Sequence, residues 1–238
     1  KTLEFIVNKL FRKGVGLYHY FDGEPKVSLL LSDNLFFARA LVDAYQILGE
    51  KIYLELAQGI ADFIHDNFVD MQRGGVFDSL PETNAIGLLK NRGKNIMHNA
   101  LAADMFNTLY HLMDKKMYHA VAEVTLTVFT KIYQSHELYA TAYAQALDRF
   151  LNPAVKIVTI GPKIDKKTYE LHIKALNFFE PRRIVELLDP EEDKEKIQKS
   201  NFPETTLPAV YVCIENSWSA PIKEPEEVAP KLKEFISR

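Results

Sequence analysis

Residues 30–79 read LLSDNLFFARALVDAYQILGEKIYLELAQGIADFIHDNFVDMQRGGVFDS. Phe36, Phe37, Ala40, Leu41, Ala44, Tyr45 and Leu48 recur at three- and four-residue spacing, which predicts a helix over 32–48 with a wide apolar face. Ser32 or Asp33 stands where a cap belongs. Gly49-Glu50 turns the chain, and Tyr53, Leu56, Ala57, Ile60, Phe63 and Ile64 stripe a second helix over about 51–68. Gly74-Gly75 then leads VFDS into a short strand.

Working outward, Leu3, Phe5, Ile6, Leu10 and Phe11 predict a helix over 2–12, stopped by Gly14 and Gly16. GLYHYF (16–21) reads as a strand before a turn at Asp22-Gly23-Glu24-Pro25. On the other side, a polar loop through Pro81, Gly87 and Gly93 leads to helices over about 95–113, 115–133 and 136–151, the last ended by Asn152-Pro153.

This half of the chain repeats itself. Shifted by 58, residues 4–20 overlay 62–78, with Phe5-Ile6 on Phe63-Ile64 and Gly16 on Gly74. Shifted by 65, Asn34 falls on Asn99, Leu41 on Phe106, Tyr45 on Tyr110, Tyr53 on Tyr118 and Ala57 on Ala122. The two offsets place an insertion of about seven residues in the 80–94 loop. A unit of helix, turn, helix and glycine-led strand, used in series, predicts a mainly α fold, a partial (α/α) toroid of helical hairpins. Its inner helices are 32–48, 96–113 and 136–151, and its outer ones are 2–12, 51–69 and 115–133. Three inner helices do not close a six-hairpin ring, and an open half ring exposes apolar faces. The missing N-terminal half of the same protein, or another chain, is therefore expected as partner.

After Pro153 the period changes. VKIVTIG (155–161), RRIVELLD (182–189) and PAVYVCIEN (208–216) read as strands, and 165–179 and 224–236 as helices. The expected division is a toroid portion, 1–153, and a small α/β unit, 154–238, with parallel strands.

The chain has 238 residues, 29 basic and 32 acidic, with a net charge of −3, and that balance disfavours a nucleic-acid partner. Cys213 is its one cysteine, so no intrachain disulfide forms and a reducing, cytoplasmic setting is expected. No apolar run approaches the roughly 20 residues that span a bilayer. IVTIG (157–161) holds one glycine and no dinucleotide or phosphate-loop fingerprint, and the histidines show no metal-ligand spacing, so neither cofactor nor metal is expected.

In a toroid, loops and the first turns of inner helices line the cavity mouth. Asp33 and Asn34 hold that place in one repeat, and His98 and Asn99 in the next. The loops add Tyr18, His19, Tyr20, Asp22, Asp78 and Arg92. Asp33 paired with Asp22 or Asp78 suits glycoside hydrolysis, which needs two carboxyl groups. His98 or His19 suits proton abstraction, as in a sugar epimerase. Asp33 and His98 are the expected acid/base residues, with Asn34, Asn99, Tyr18, Tyr20 and Asp78 shaping the pocket. The plainer roles are an N-cap for Asp33 and loop-to-helix ties for the asparagines.

The run LLSDNLFFARALVDAYQILGEKIYLELAQGIADFI…GGVFDS resembles the LDDYAF…ALLxLYxxTGxxxYLxxA…GGFFDT stretch of a widespread family. Its members join an N-terminal thioredoxin-like domain to a toroid like those of six-hairpin glycosidases and N-acylglucosamine 2-epimerases. The spermatogenesis-associated thioredoxin-like protein and its prokaryotic homologues belong there. NIMHNALAADMFNTLYHL (95–112) is similar to its PSGNSVAAxxLLRL helix, and VKIVTIG…YVCIENSWSAPIKEPEEV to its ending. The resemblance implies carbohydrate processing by acid/base catalysis on a small-molecule carbohydrate. The chain departs from the pattern at Asn34 and Leu35, at Ile96-Met97-His98, and at Trp218, where the family has a second cysteine. Those departures favour the alternative, a non-catalytic binding or scaffold module attached to the thioredoxin-like domain.

Overall fold

A computed structural model of the chain describes residues 1–28, 30–81, 84, 86–203, 206–215 and 217–237, with only the backbone of Leu88 and Leu89. It divides into two compact units, one of residues 1–42 and 52–151, the other of 43–51 and 152–238.

The first unit opens with α1 (Thr2–Lys9) and two short hairpins. In one, β1 (Phe11–Arg12) pairs with β2 (Gly16–Leu17). In the other, β3 (Tyr20–Asp22) pairs with β4 (Glu24–Lys26). The single strand expected over 16–21 is thus halves of two hairpins, because the glycine turns on either side give each half its own local partner.

Five helices follow: α2 (Leu31–Leu48), α3 (Lys51–Phe68), α4 (Ile96–Met113), α5 (Lys116–Thr127) and α6 (Ala140–Leu151). α5 stops short of the expected 133, and α6 starts later than 136. Between them lie turns and a 3-10 stretch, Tyr133–Tyr139, in which Glu137 takes φ +47°. The hydroxyls of Thr127, Thr130 and Ser135 each bond a carbonyl three or four residues back, the local competition that ends helices.

α2 to α6 form the two sets that the repeat predicts, whereas the expected outer helix over 2–12 ends at Lys9, where the chain enters the first hairpin, and buries no residue. α4 packs on α5 and α6. α2 meets α4 through Arg39 and Asp104, 3.8 Å apart, and through the rings of Phe36 and His98. α3 meets α5 through Tyr118, whose hydroxyl donates to Asp62 at 2.6 Å. α2, α4 and α6 are the inner row, and α3 and α5 lie outside it, a portion of an (α/α) toroid. The apolar stripe of α3 (Ala57, Ile60, Ala61, Ile64, Phe68) is fully buried, and each large side chain there contributes about 1.5–3 kcal/mol.

The repeat has a one-residue step inside it. Phe11 and Val69 begin equivalent strand pairings, against Leu17 and Val76 respectively. The outer helices and the first strands therefore align at 58 and the second strands at 59, so Gly16 matches Gly75 rather than Gly74. The extra residue sits in the turn 70–75. The rest of the expected insertion falls in the 80–94 loop, where Glu82, Thr83 and Ala85 lie outside the described residues.

The second unit is β5 (Val155–Ile160), α7 (Lys166–Asn177), β6 (Arg183–Leu188), α8 (Lys194–Lys199), β7 (Ala209–Ile214), β8 (Ser217–Trp218) and α9 (Pro225–Ile236). Its sheet order is β6-β5-β7-β8. β5 and β6 are parallel, as expected for a βαβ unit, but β7 runs antiparallel to β5 and to β8. The expected third parallel strand is thereby corrected: β7 is buried like a central parallel strand, and burial carries no information about direction. Val155, Ile157, Leu171, Val185, Val210, Val212, Val228 and Leu232 make one core between sheet and helices. Residues 43–51 belong to this unit. Tyr45 donates to Glu186 at 2.9 Å, and Gln46 accepts from the Val185 amide. Among the described residues no helix is long and apolar enough to cross a membrane.

Candidate functional site

Of the inner helices, α2 and α4 are buried except along one narrow stripe each. On α2 it runs Ser32, Asp33, Phe36, Arg39 and Ala40, then continues through Asp43 and Ile47. On α4 it runs Met97, His98, Leu101 and Asp104. The first four steps match at the 65-residue shift: Ser32 with Met97, Asp33 with His98, Phe36 with Leu101, Arg39 with Asp104. Phe36 keeps 47% of its surface exposed, an unusual state for a phenylalanine in the middle of a packed helix. Both expected acid/base residues, Asp33 and His98, stand in the first turn of this stripe.

Asp33 is not an N-cap. Helix α2 begins at Leu31, and the Asp33 carboxylate lies inside the first turn. It reaches His19, whose Nδ1 is 3.0 and 3.1 Å from the two carboxylate oxygens. His19 is held there by its backbone amide, which donates to the carbonyls of Lys26 and Val27 across the second hairpin. The histidine side chain is 53% exposed and the aspartate 16%. A carboxylate accepting from Nδ1–H fixes the ring tautomer and leaves Nε2 as a base open to solvent. Tyr20 stands edge-on to this ring.

The second repeat carries the same two residue types with their places exchanged. Asp78 occupies the strand position of His19, and His98 the helix position of Asp33. Here the two do not form the same pair: Asp78 Oδ1 accepts from the Gly93 amide at 3.1 Å, and His98 Nδ1 is buried without a hydrogen-bond partner. The Asp78 carbonyl accepts from the Leu31 amide, which ties this loop to the first turn of α2. His98 stands edge-on to Phe36, 6.1 Å between ring centres. Along the first turns of α2, Asp33 thus meets His19, Leu31 meets the Asp78 backbone, and Phe36 meets His98.

Asn34 and Asn99 do not shape a pocket. Both are 0% exposed. Asn34 Oδ1 accepts from the Leu17 amide at 2.8 Å and its Nδ2 donates to the Leu30 carbonyl. Asn99 Oδ1 accepts from the Val76 amide at 2.7 Å, and its Nδ2 donates to the carbonyls of Val76 and Asn95. Each amide ties a glycine-led strand to an inner helix. A Cβ on Gly16 or Gly75 would come within 2.5 or 2.9 Å of the respective asparagine oxygen, and both glycines have positive φ, so glycine is required there. Tyr18 is half-buried, with its amide on the Leu10 carbonyl; Tyr20 is exposed at the hairpin. Asp22 is exposed at the end of β3, and Arg92 stacks over Phe77 at 3.7 Å.

Behind the second strand, the Lys94 ammonium bonds Asp70, and with the Arg73 amide it holds the Asp70 carboxyl down at about 2. A separate open groove of about 750 Å³ lies between 69–74 and α5, and none of the expected site residues lines it. Among the described residues no three His, Cys, Asp or Glu side chains converge to hold a metal ion.

Arg39, Asp104 and Arg149 were absent from the sequence expectation. The signal available was the pairing of Arg39 with Asp104 at the 65-residue shift, opposite charges at one level of neighbouring helices.

No protein-family model matches the chain, and no curated protein does. Among solved structures it is similar to a cellobiose 2-epimerase from Spirochaeta thermophila DSM 6192, at 20% identity and a TM-score of 0.47, over 55% of this chain and 36% of that one. A family 76 glycoside hydrolase from a bovine Bacteroides thetaiotaomicron strain matches at 15% and 0.45, over 55% and 29%. A sugar epimerase from a ruminal bacterium matches at 20% and 0.44, over 54% and 33%. The chain spans about a third of the length of each.

Proposed function

We propose that the chain carries a proton-transfer site for a carbohydrate or a related hydroxylated small molecule. The Asp33-held imidazole of His19 is its general base, and His98, over Phe36, is the second acid/base group. The observation that carries this reading is the His19–Asp33 contact. A carboxylate on one ring nitrogen, with the other open to solvent, suits abstraction of a proton next to a carbonyl, the step by which an epimerase inverts a carbon. Phe36 offers an aromatic floor for the apolar face of a sugar ring. Hydrolysis is less well supported, because the Asp78 carboxylate that would pair with Asp33 is engaged by the Gly93 amide.

The test is exchange of solvent deuterium into C2 of reducing sugars (mannose, N-acetylmannosamine, cellobiose), read by NMR with the intact protein. His19→Ala and Asp33→Asn are each expected to lower the exchange rate by roughly 10²-fold or more, with little change in melting temperature. Absence of exchange with every sugar would overturn the reading. Sugar binding without exchange would favour the non-catalytic module, whose support is the departure of residues 33–35 and 96–98 from the family pattern.

A further inference from the structure

The proposal rests on the reading above and names the class of substrate. We infer that the inner stripe binds a hexose bearing an anionic group at its C6 end, and that Arg39 and Arg149 hold that group.

At the middle of the inner row, three charges from three helices meet. Arg149 Nη1 of α6 lies 2.7 Å from Asp104 Oδ1 of α4, at an angle that leaves this oxygen without an aligned hydrogen bond. Arg149 Nη2 donates to Thr108 at 3.4 Å. Arg39 Nη2 of α2 lies 3.8 Å from the other Asp104 oxygen, too long for a hydrogen bond. Two guanidiniums thus lie against one carboxylate. The Arg39 side chain is a third exposed, and a guanidinium carries five donors. Were the pair only a stitch between helices, a closer fork would be expected, since a planar guanidinium matches a carboxylate in two parallel bonds. The loose arrangement leaves fork donors available to a second anion.

The spacing fits the same substrate. Arg39 lies six residues beyond Asp33, a rise of about 9 Å along the helix. Phe36 stands between the two levels with half its ring exposed. A hexose placed over Phe36, with C1 and C2 toward His19 and His98, directs its C6 substituent toward Arg39. A phosphate or a carboxylate there meets the same fork.

The test measures binding and deuterium exchange of the intact protein with mannose, mannose 6-phosphate and glucuronate. The wild type is expected to bind at least one anionic sugar roughly tenfold more tightly than mannose. Arg39→Ala should erase that preference, and Arg39→Lys should restore part of it. The two anionic sugars separate phosphate from carboxylate. Equal affinity for neutral and anionic sugars in the wild type, or an undiminished preference in a folded Arg39→Ala, overturns the inference while mannose exchange keeps the proton-transfer reading intact. Arg39-dependent anion binding without exchange overturns that reading and supports the anion site. No binding of any sugar overturns both.

Discussion

Asn34 and Asn99 show how much one side chain does when it is buried. Each amide replaces a backbone partner for a strand and for the end of a helix, so the loops it anchors keep one position. Replacing either by alanine strands a buried amide N–H, and the expected loss is about 2–4 kcal/mol in chemical unfolding. Asn34→Asp should be nearly as costly, because it removes the donor to Leu30. The pattern of two equivalent asparagines was legible in the sequence, at the 65-residue shift, but their task was not. A polar residue at the start of a cavity-lining helix has the same spelling whether it faces a ligand or a backbone.

His172 makes the same point in the second unit. It is buried, its Nε2 is 2.9 Å from the Gln46 carbonyl, and burial pushes its pKa below the ordinary value. The unfolded chain, with an ordinary imidazole near pH 6.5, then takes up a proton that the folded chain does not. Stability is fully present above that pH and declines as pH falls below it. The urea midpoint should drop across that window in the wild type and stay flatter in His172→Asn.

At the scale of elements, the long helices were the most legible part. Periodicity fixed α2, α3 and α4 nearly to the residue, because apolar residues recur at three- and four-residue spacing along each. The ends of α5 and α6 were misplaced, since threonine and serine hydroxyls there outcompete the helical ladder without breaking the apolar pattern. The turn 70–75 is held by Asp70, which accepts from the Gln72 and Arg73 amides and pairs with Lys94. Its pKa is down at about 2 from 3.8, so its contribution is present above the unfolded value and is lost as pH falls toward 2. Asp70→Asn should be less stable than wild type at neutral pH. The two melting temperatures should converge below about pH 3.

At the scale of the whole molecule, the hydrophobic pattern set the order of elements: a row of helical hairpins, then a small sheet with helices. It could not assign residues 43–51, which sit inside that first pattern yet belong to the second compact unit. There, Tyr45 and Lys196 both bond the buried Glu186 carboxylate, and Lys51 pairs with Asp193 at 3.0 Å. Tyr45→Phe leaves that carboxylate short of a donor and should cost about 1–3 kcal/mol, read as a lower urea midpoint. The sequence by itself determined the spans of the long helices, how they repeat, and which two inner-helix starts carry Asp33 and His98. Only the tertiary structure decided the direction of β7, the meeting of His19 with Asp33, and the convergence of Arg39, Asp104 and Arg149. The physical reason is that periodicity records that a face is buried, whereas direction and charge pairing depend on what it is buried against.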